Sequence, residues 1–272
     1  MSGEPTIGVV GAGKIGELLL SGLLRSGWPV SRLVATVRRA ERATELRERY
    51  GIEVLTTAQA VERADVLAVA VKPQDAAALM AELGPMLPAH PERLIVSLCA
   101  GLPTGFFAKW LPEGTAVVRV MTNTPALVDE AMTAISAGPH ATASHLALTE
   151  KMFAPLGRTI RVPETQQDAV TALSGSGPAY FFYLVEAMTD AGILLGLPRQ
   201  VAYDLIVQTA IGSAILMRES GEHPVKLREA VSSPAGTTIS AIRELEKHGV
   251  RAAFLAALEA ARDRAKELAE QN

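Results

Sequence analysis

Two stretches of this chain carry residue types at spacings that could do chemistry. The first is GAGKIG at residues 11–16 (Gly11, Ala12, Gly13, Lys14, Ile15, Gly16), which follows the apolar run 7–10 and precedes leucines at helical spacing, Leu18, Leu19, Leu20, Leu23 and Leu24. A strand, a tight turn and a helix in that order suit a dinucleotide pyrophosphate. Gly11 supplies the turn, Gly13 lets backbone approach the phosphates, Gly16 allows close helix–strand packing, and the helix N-terminus attracts the anion. A purely structural turn is the alternative. The second stretch is REAVSSPAGTTISAIREL at 228–245, where Ser232, Ser233, Pro234, Gly236, Thr237 and Thr238 precede Ile239, Ile242 and Leu245 at helical spacing. Free N–H groups, hydroxyls and a glycine at one helix start suit a small carboxylate, although ordinary capping would use the same residue types.

These groups need elements to position them. Residues 32–37 read as a second strand that ends in Arg38 and Arg39. An acid near that point would hydrogen-bond a ribose 2′-hydroxyl; two guanidiniums suit a 2′-phosphate instead, so NADP is expected over NAD. A solvated arginine pair opening the next helix, 40–50, is the competing reading. A third strand at 52–55 follows, and then the run DVLAVAVKPQ from Asp65, apolar as a parallel strand covered on both faces would be. It stops at Val71-Lys72-Pro73, which places those residues at the carboxyl edge of the sheet, lining a cofactor or, for Lys72, simply facing solvent. A strand at 94–98 runs into Cys99-Ala100-Gly101, and one at 115–120 into a loop at 121–125. Further short strands are expected at 133–136 and 159–162.

Alternation of strand and helix ends near Pro163, which divides the chain into a dinucleotide-binding domain, 1–163, and an all-helical domain, 164–272. The stretch 179–195 is apolar on nearly every side, with only Glu186 and Asp190 charged. Such a helix must be buried all round, and about 110 residues of helices can hardly enclose it. A second copy of the chain is expected to cover it; burial against the first domain is the alternative. The last helix, 252–270, is expected to hold its charged end in solvent.

Composition bounds the rest. The 272 residues are 49% hydrophobic with a net charge of −3, ample for two cores and giving no general reason for nucleic acid or an acidic membrane as partner. No run reaches the roughly 18 uncharged apolar residues of a membrane span, and MSGEPT lacks the features of a signal peptide, so the chain reads as cytoplasmic. Cys99 is the only cysteine, and its setting LIVSLCAGL is that of a small core residue rather than a nucleophile. His223 lies in a break near the second stretch and reads as a surface or capping histidine rather than a general acid; His90, His140, His145 and His248 show no metal-ligand spacing, and no metal is expected.

Taken in order, GAGKIG, AVKPQ, SLCAGL, RVMTNTP, ALSGSGPAYFF and VSSPAGTTISAIRELE resemble pyrroline-5-carboxylate reductase over essentially the whole chain. The last motif, with its SS-P-x-G-x-T core, is the most specific. The resemblance implies an α/β fold, a Rossmann-type dinucleotide-binding domain followed by an all-α dimerisation domain, interlocked as a homodimer that can build larger rings. It implies NADPH-dependent reduction of the cyclic imine 1-pyrroline-5-carboxylate to L-proline, with NADH also possible, in a pocket between the nicotinamide edge and dimerisation helices. Residue by residue, the hydroxyl on the ring nitrogen falls on Thr238, and the carboxylate contacts on Gly236 and Thr237 with Ser233 beside them. Cofactor contacts fall on residues 11–16, Thr36 with Arg38, Val71-Lys72-Pro73 and Ala100-Gly101. The sequence departs from the family pattern at Ala235, where members more often carry glycine, at Thr122, where many carry proline, and at Ala230, where some place a cofactor-contacting asparagine.

Two other readings belong beside this one. A β-hydroxyacid dehydrogenase shares the domain plan but wants a catalytic lysine, for which Lys226 and Lys247 are the candidates. A non-catalytic NADP-binding regulator would bind cofactor without turnover and would need a further surface for its partner.

Overall fold

The computed structural model describes residues 4–89 and 92–270; Met1–Gly3, with part of MSGEPT, and His90 lie outside the described residues. It divides into two compact units, 1–176 with 261–272, and 177–260.

The first unit is built on one eight-stranded sheet in the order β3-β2-β1-β4-β5-β6-β7-β8. Its strands are β1 (Ile7–Val10), β2 (Leu33–Thr36), β3 (Glu53–Val54), β4 (Val66–Val69), β5 (Leu94–Ser97), β6 (Val117–Met121), β7 (Ala131–Ala137) and β8 (Gly157–Arg161). All neighbours pair parallel except β6 with β7. The connecting helices are α1 (Lys14–Arg25), α2 (Ala40–Tyr50), α3 (Thr57–Arg63), α4 (Pro73–Leu83), α5 (Thr104–Ala108), α6 (Ala143–Phe153) and α7 (Gln167–Val170). Strand residues alternate between two buried clusters. Ile7, Val9, Ala68 and Val96 join Leu19, Leu23 and Phe153 on one face, while Val10, Leu67, Val69 and Ile95 join Met80, Leu83 and Phe107 on the other. Burial on both faces accounts for the unbroken apolar runs in these strands.

Boundaries differ from the sequence reading where hydrogen bonding ends the ladders early. The third strand keeps only Glu53 and Val54, and the run from Asp65 is strand only through Val69, because Pro73 already opens α4. Met121 is the last residue of β6, not the first of a loop, since it pairs with Ala134. The helix expected at 252–270 begins two residues earlier, as α12 (Val250–Glu270). Its far end belongs to the first unit: Asp263, Arg264, Lys266 and Glu267 face solvent as expected, but Ala265 is buried.

Helices make up the second unit: α8 (Gly177–Leu194), α9 (Arg199–Ser220), α10 (Pro224–Ala230), α11 (Thr237–Lys247) and the start of α12. A π-helical turn, Thr171–Gly175, precedes α8. α8 and α9 pack as a hairpin, with Gly192 set so closely on Ala202 that a Cβ there would lie 2.7 Å from the alanine methyl. The apolar residues of α8 are not enclosed: Phe181, Phe182 and Tyr183 are 66%, 69% and 75% exposed in the single chain. Leu194, Leu195, Leu205 and Leu216 are exposed too. Among the described residues one helix, α9, is long and apolar enough to cross a membrane by length and composition, although Asp204 interrupts it.

Candidate functional site

The chain runs outward from β1 to β2 and β3 and then crosses back to β4 on the other side of β1, the point at which open α/β sheets bind ligands beyond the strand carboxyl ends. The GAGKIG turn leaves β1 there. Gly11 has φ +83°, and a Cβ on it would lie 2.4 Å from Val71 Cγ1, so only glycine fits. The Gly11 and Ala12 N–H groups both donate to the Thr36 carbonyl, at 3.1 and 2.9 Å, and Gly11 N–H also to the Thr36 hydroxyl at 3.2 Å. Thr36 therefore shapes the loop from the end of β2. Gly16 sits against Val9 and Ala70, where a Cβ would approach Val9 Cγ1 to 2.8 Å. Gly13 is different: a Cβ there would meet nothing nearer than the Gly11 carbonyl oxygen at 3.9 Å. Gly13 is also the N-cap of α1 and contributes no side-chain hydrogen bond. An open, glycine-lined and uncapped helix start is what a pyrophosphate requires, so these residues fit a dinucleotide.

The charged groups around this turn extend beyond those legible in sequence. Arg38 pairs with Asp75 of α4 at 2.8 Å, and Arg39 is the exposed N-cap of α2. Arg42, unnoticed in the sequence, donates from Nε to the Ala12 carbonyl at 3.4 Å and forms ion pairs with Glu17 and Glu45. Glu17 also accepts from the Tyr50 hydroxyl at 2.9 Å and from Arg49 at 3.1 Å. Burial alone would raise the Glu17 carboxyl, but the hydrogen bonds of Arg42 and Tyr50 and the charges of Arg42 and Arg49 outweigh it and hold the group below its ordinary range. No periodicity marks such a cluster, since its members lie on α1 and α2.

Along the same sheet edge, Val71 and Pro73 are half-buried and Lys72 is exposed as the N-cap of α4. Cys99 is buried and its thiol donates to the Val71 and Val69 carbonyls at 3.5 and 3.7 Å; burial pushes its pKa up to about 11. It is a small core residue that ties β5 to β4. Ala100 faces outward, whereas Gly101, at φ +78°, is buried near the end of α12. A second polar group missed in sequence stands next to this edge. The Glu164 carboxylate accepts from the Thr104 N–H at 2.7 Å and hydroxyl at 2.6 Å, and buried Arg119 lies 3.7 Å from both Glu164 and Asp168. Thr122 hydrogen-bonds Thr133 at 2.9 Å, and Asn123 joins the Met132 N–H to the Ser174 carbonyl.

In the second unit, the Ser233–Thr238 segment leads into α11 as the spacing predicts. Gly236 is the N-cap without a side-chain bond, and its N–H reaches the Ser233 carbonyl at 3.1 Å. The Ser233, Thr237 and Thr238 hydroxyls have no hydrogen-bond partner among the described residues; Ser232 is turned back onto the Arg228 carbonyl at 2.7 Å. Ordinary capping would have used one of those hydroxyls. Ala235, where a glycine was expected, holds φ +58°. Ala230 ends α10 and is exposed. His223 caps α10 by accepting from the Val225 N–H at 3.3 Å, and His145 completes the Thr142 capping box of α6 by accepting from the Thr142 N–H at 3.1 Å. Lys226 and Lys247 are exposed and paired with glutamates of their own helices or the adjoining turn.

Comparison with known proteins decides the family. The family model described as pyrroline-5-carboxylate reductase dimerisation matches residues 164–268, and one described as NADP oxidoreductase coenzyme F420-dependent matches 6–101. The pyrroline-5-carboxylate reductase of Mycobacterium tuberculosis (strain ATCC 25618 / H37Rv) is 44% identical, covering 98% of this chain and 97% of the relative. This chain belongs to the pyrroline-5-carboxylate reductase family. The member from Pseudomonas aeruginosa is 41% identical over 98% of both chains. Among solved structures, the pyrroline-5-carboxylate reductase of Coxiella burnetii superposes with a TM-score of 0.92 at 35% identity, covering 97% of this chain and 98% of that one. The Plasmodium falciparum enzyme, solved with NADP bound, superposes at 0.87 with 25% identity over 98% and 100%. Within the family, then, this chain joins a Rossmann-type sheet to the helical dimerisation domain.

Proposed function

We propose that this chain reduces 1-pyrroline-5-carboxylate to L-proline with NADPH, the last step of proline synthesis, as a homodimer in the cytoplasm. The observation that carries the reading is the start of α11. It lies inside the stretch matched to the family's dimerisation domain and, among the described residues, leaves the Ser233, Thr237 and Thr238 hydroxyls without internal partners.

The domains are taken as 1–163 for cofactor and 164–272 for dimerisation and substrate. NADPH would be held by residues 11–16, by Thr36, Arg38 and Arg39 at its 2′-phosphate end, and by Val71, Lys72, Pro73, Ala100 and Gly101 along the edge. When bound, it supplies hydride to the imine carbon. The protein's own work is orientation and electrostatics. The Thr237 N–H, the Gly236 N–H once it leaves the Ser233 carbonyl, and the Ser233 hydroxyl beside them hold the substrate carboxylate at the positive end of α11. Thr238 fixes the ring nitrogen by a hydrogen bond, which sets the face of the double bond. No strong general acid is required, because an iminium enters already protonated.

Exposure of Phe181, Phe182, Tyr183 and Leu184 in one chain supports a second copy as the cover for α8, and the same demand accounts for the apolar surface of α9 without a membrane. Light scattering after gel filtration, expected at twice the chain mass or an even multiple for a ring of dimers, tests that part; a monomer at micromolar concentration refutes it. For the chemistry, Thr238→Ala is expected to lower turnover of pyrroline-5-carboxylate by at least about tenfold, roughly 1.4 kcal/mol, with NADPH affinity unchanged. The reverse pattern removes the assigned role.

A further inference from the structure

The bridge between Arg38 and Asp75 has a position that ordinary surface pairs lack. β2 and β4 lie on either side of β1. Arg38 follows β2, and Asp75 lies in the first turn of α4, which follows β4. Their 2.8 Å contact therefore crosses above the carboxyl end of β1, over the glycine turn. The Arg38 side chain is 82% exposed and that of Asp75 only 30%, so the carboxylate is the anchored partner and the guanidinium the movable one. Lys72, the N-cap of α4, offers no side-chain bond there, and Arg38 is the only cation paired with Asp75 among the described residues.

We infer that Asp75 sets the balance between NADPH and NADH, by occupying Arg38 in the place a 2′-phosphate would take. This rests on the reading of 11–16 and Arg38 as the cofactor site. A 2′-phosphate carries between one and two negative charges, and to reach Arg38 it must displace the carboxylate or share the guanidinium with it. Either costs affinity. The neutral 2′-hydroxyl of NADH meets no repulsion there and can donate to the carboxylate, the role for which NAD-preferring folds use an acid at the end of the second strand. No acid directly follows β2; the fold brings one from α4.

Asp75→Asn separates these effects, since it removes the charge and keeps the shape. The affinities of NADPH and NADH, read by nicotinamide fluorescence without imine, and kcat/KM for both with pyrroline-5-carboxylate, are measured at low and at high salt. NADPH affinity is expected to rise about fivefold to tenfold at low salt and less at high salt, as a screened charge term must, while NADH affinity falls by about twofold or more. In an Arg38→Ala background the same substitution is expected to raise NADPH affinity by a clearly smaller factor, because only the direct repulsion between Asp75 and the phosphate is left to relieve. Both cofactors moving together, or a ratio within about twofold of wild type with unchanged melting temperature, overturns the inference. Because the binding arm needs no turnover, a wild-type protein that binds nicotinamides but does not reduce the imine would refute the proposed reaction and still test Asp75.

Discussion

Gly11 and Gly13 are two residues apart, and alanine at each should fail for opposite reasons. At Gly11 the backbone is at φ +83°, which costs an L-residue roughly 1–2 kcal/mol, and the new methyl would lie 2.4 Å from Val71 Cγ1. Valine is stiff at χ1, so overpacking adds about 1–3 kcal/mol, for a total of roughly 2–5 kcal/mol. That corresponds to a fall in melting temperature of roughly 4–20 °C for a domain of this size. At Gly13 φ is −75°, and the nearest atom to a Cβ is 3.9 Å away, so Gly13→Ala meets no clash, and alanine in place of glycine at this N-cap costs the fold at most about 1 kcal/mol. Its cost must appear in the ligand, because the methyl occupies the space reserved for a pyrophosphate. Thermal melts without cofactor and fluorescence titrations with NADPH check both. Gly13→Ala should melt within about 4 °C of the wild-type temperature and bind NADPH at least about tenfold more weakly, a loss of roughly 1.4 kcal/mol. Wild-type affinity in Gly13→Ala would refute the placement of the phosphates at α1.

Three further outcomes follow from local geometry. With its pKa pushed up to about 11, the Cys99 thiol should resist alkylation at pH 8 in the native protein and react promptly once unfolded, as counted by mass spectrometry; rapid native labelling would contradict its burial. Ala235→Gly relieves a left-handed backbone at an exposed position and should stabilise the fold by about 0.5–1 kcal/mol after the entropy of the unfolded glycine is subtracted, with a lower melting temperature as the opposing result. Because the folded Glu17 carboxyl lies below its unfolded range, its contribution is present above the unfolded pKa and lost as pH falls through the folded one. Acid melts should therefore show a smaller loss of stability below about pH 4.5 in Glu17→Gln than in wild type, and equal slopes would refute the linkage.

Legibility followed the range of the interactions. The β1–turn–α1 unit was readable because each feature has a local signature: apolar strand residues, three glycines and leucines at helical spacing between Ile7 and Leu24. The all-round apolarity of α8 announced missing cover for the same reason. By contrast, Arg42 reaches Ala12, Glu164 reaches Thr104, and Asp75 reaches Arg38 across gaps of tens of residues, and nothing in a charged helix or a linker marks which side chain will turn inward. The end of α12 shows a milder form of this. Its dense charges predicted solvent, and they do face it, but Ala265 at the right phase buries the other side. Positive φ at Ala235 was signalled only by resemblance, since alanine itself gives no sign of a left-handed turn.

Passage of hydride from a nicotinamide to the imine carbon of a carboxylate-bearing five-membered ring is the step that defines the proposed reaction. Turnover of pyrroline-5-carboxylate with NADPH deuterated at C4 on the transferring face tests it most directly, read by mass spectrometry and NMR of the product. Loss of nicotinamide absorbance is expected in step with the appearance of L-proline carrying one deuterium, on the ring carbon next to nitrogen that lacks the carboxylate. Proline without label, or cofactor that binds and is never oxidised in the presence of the imine, would contradict it.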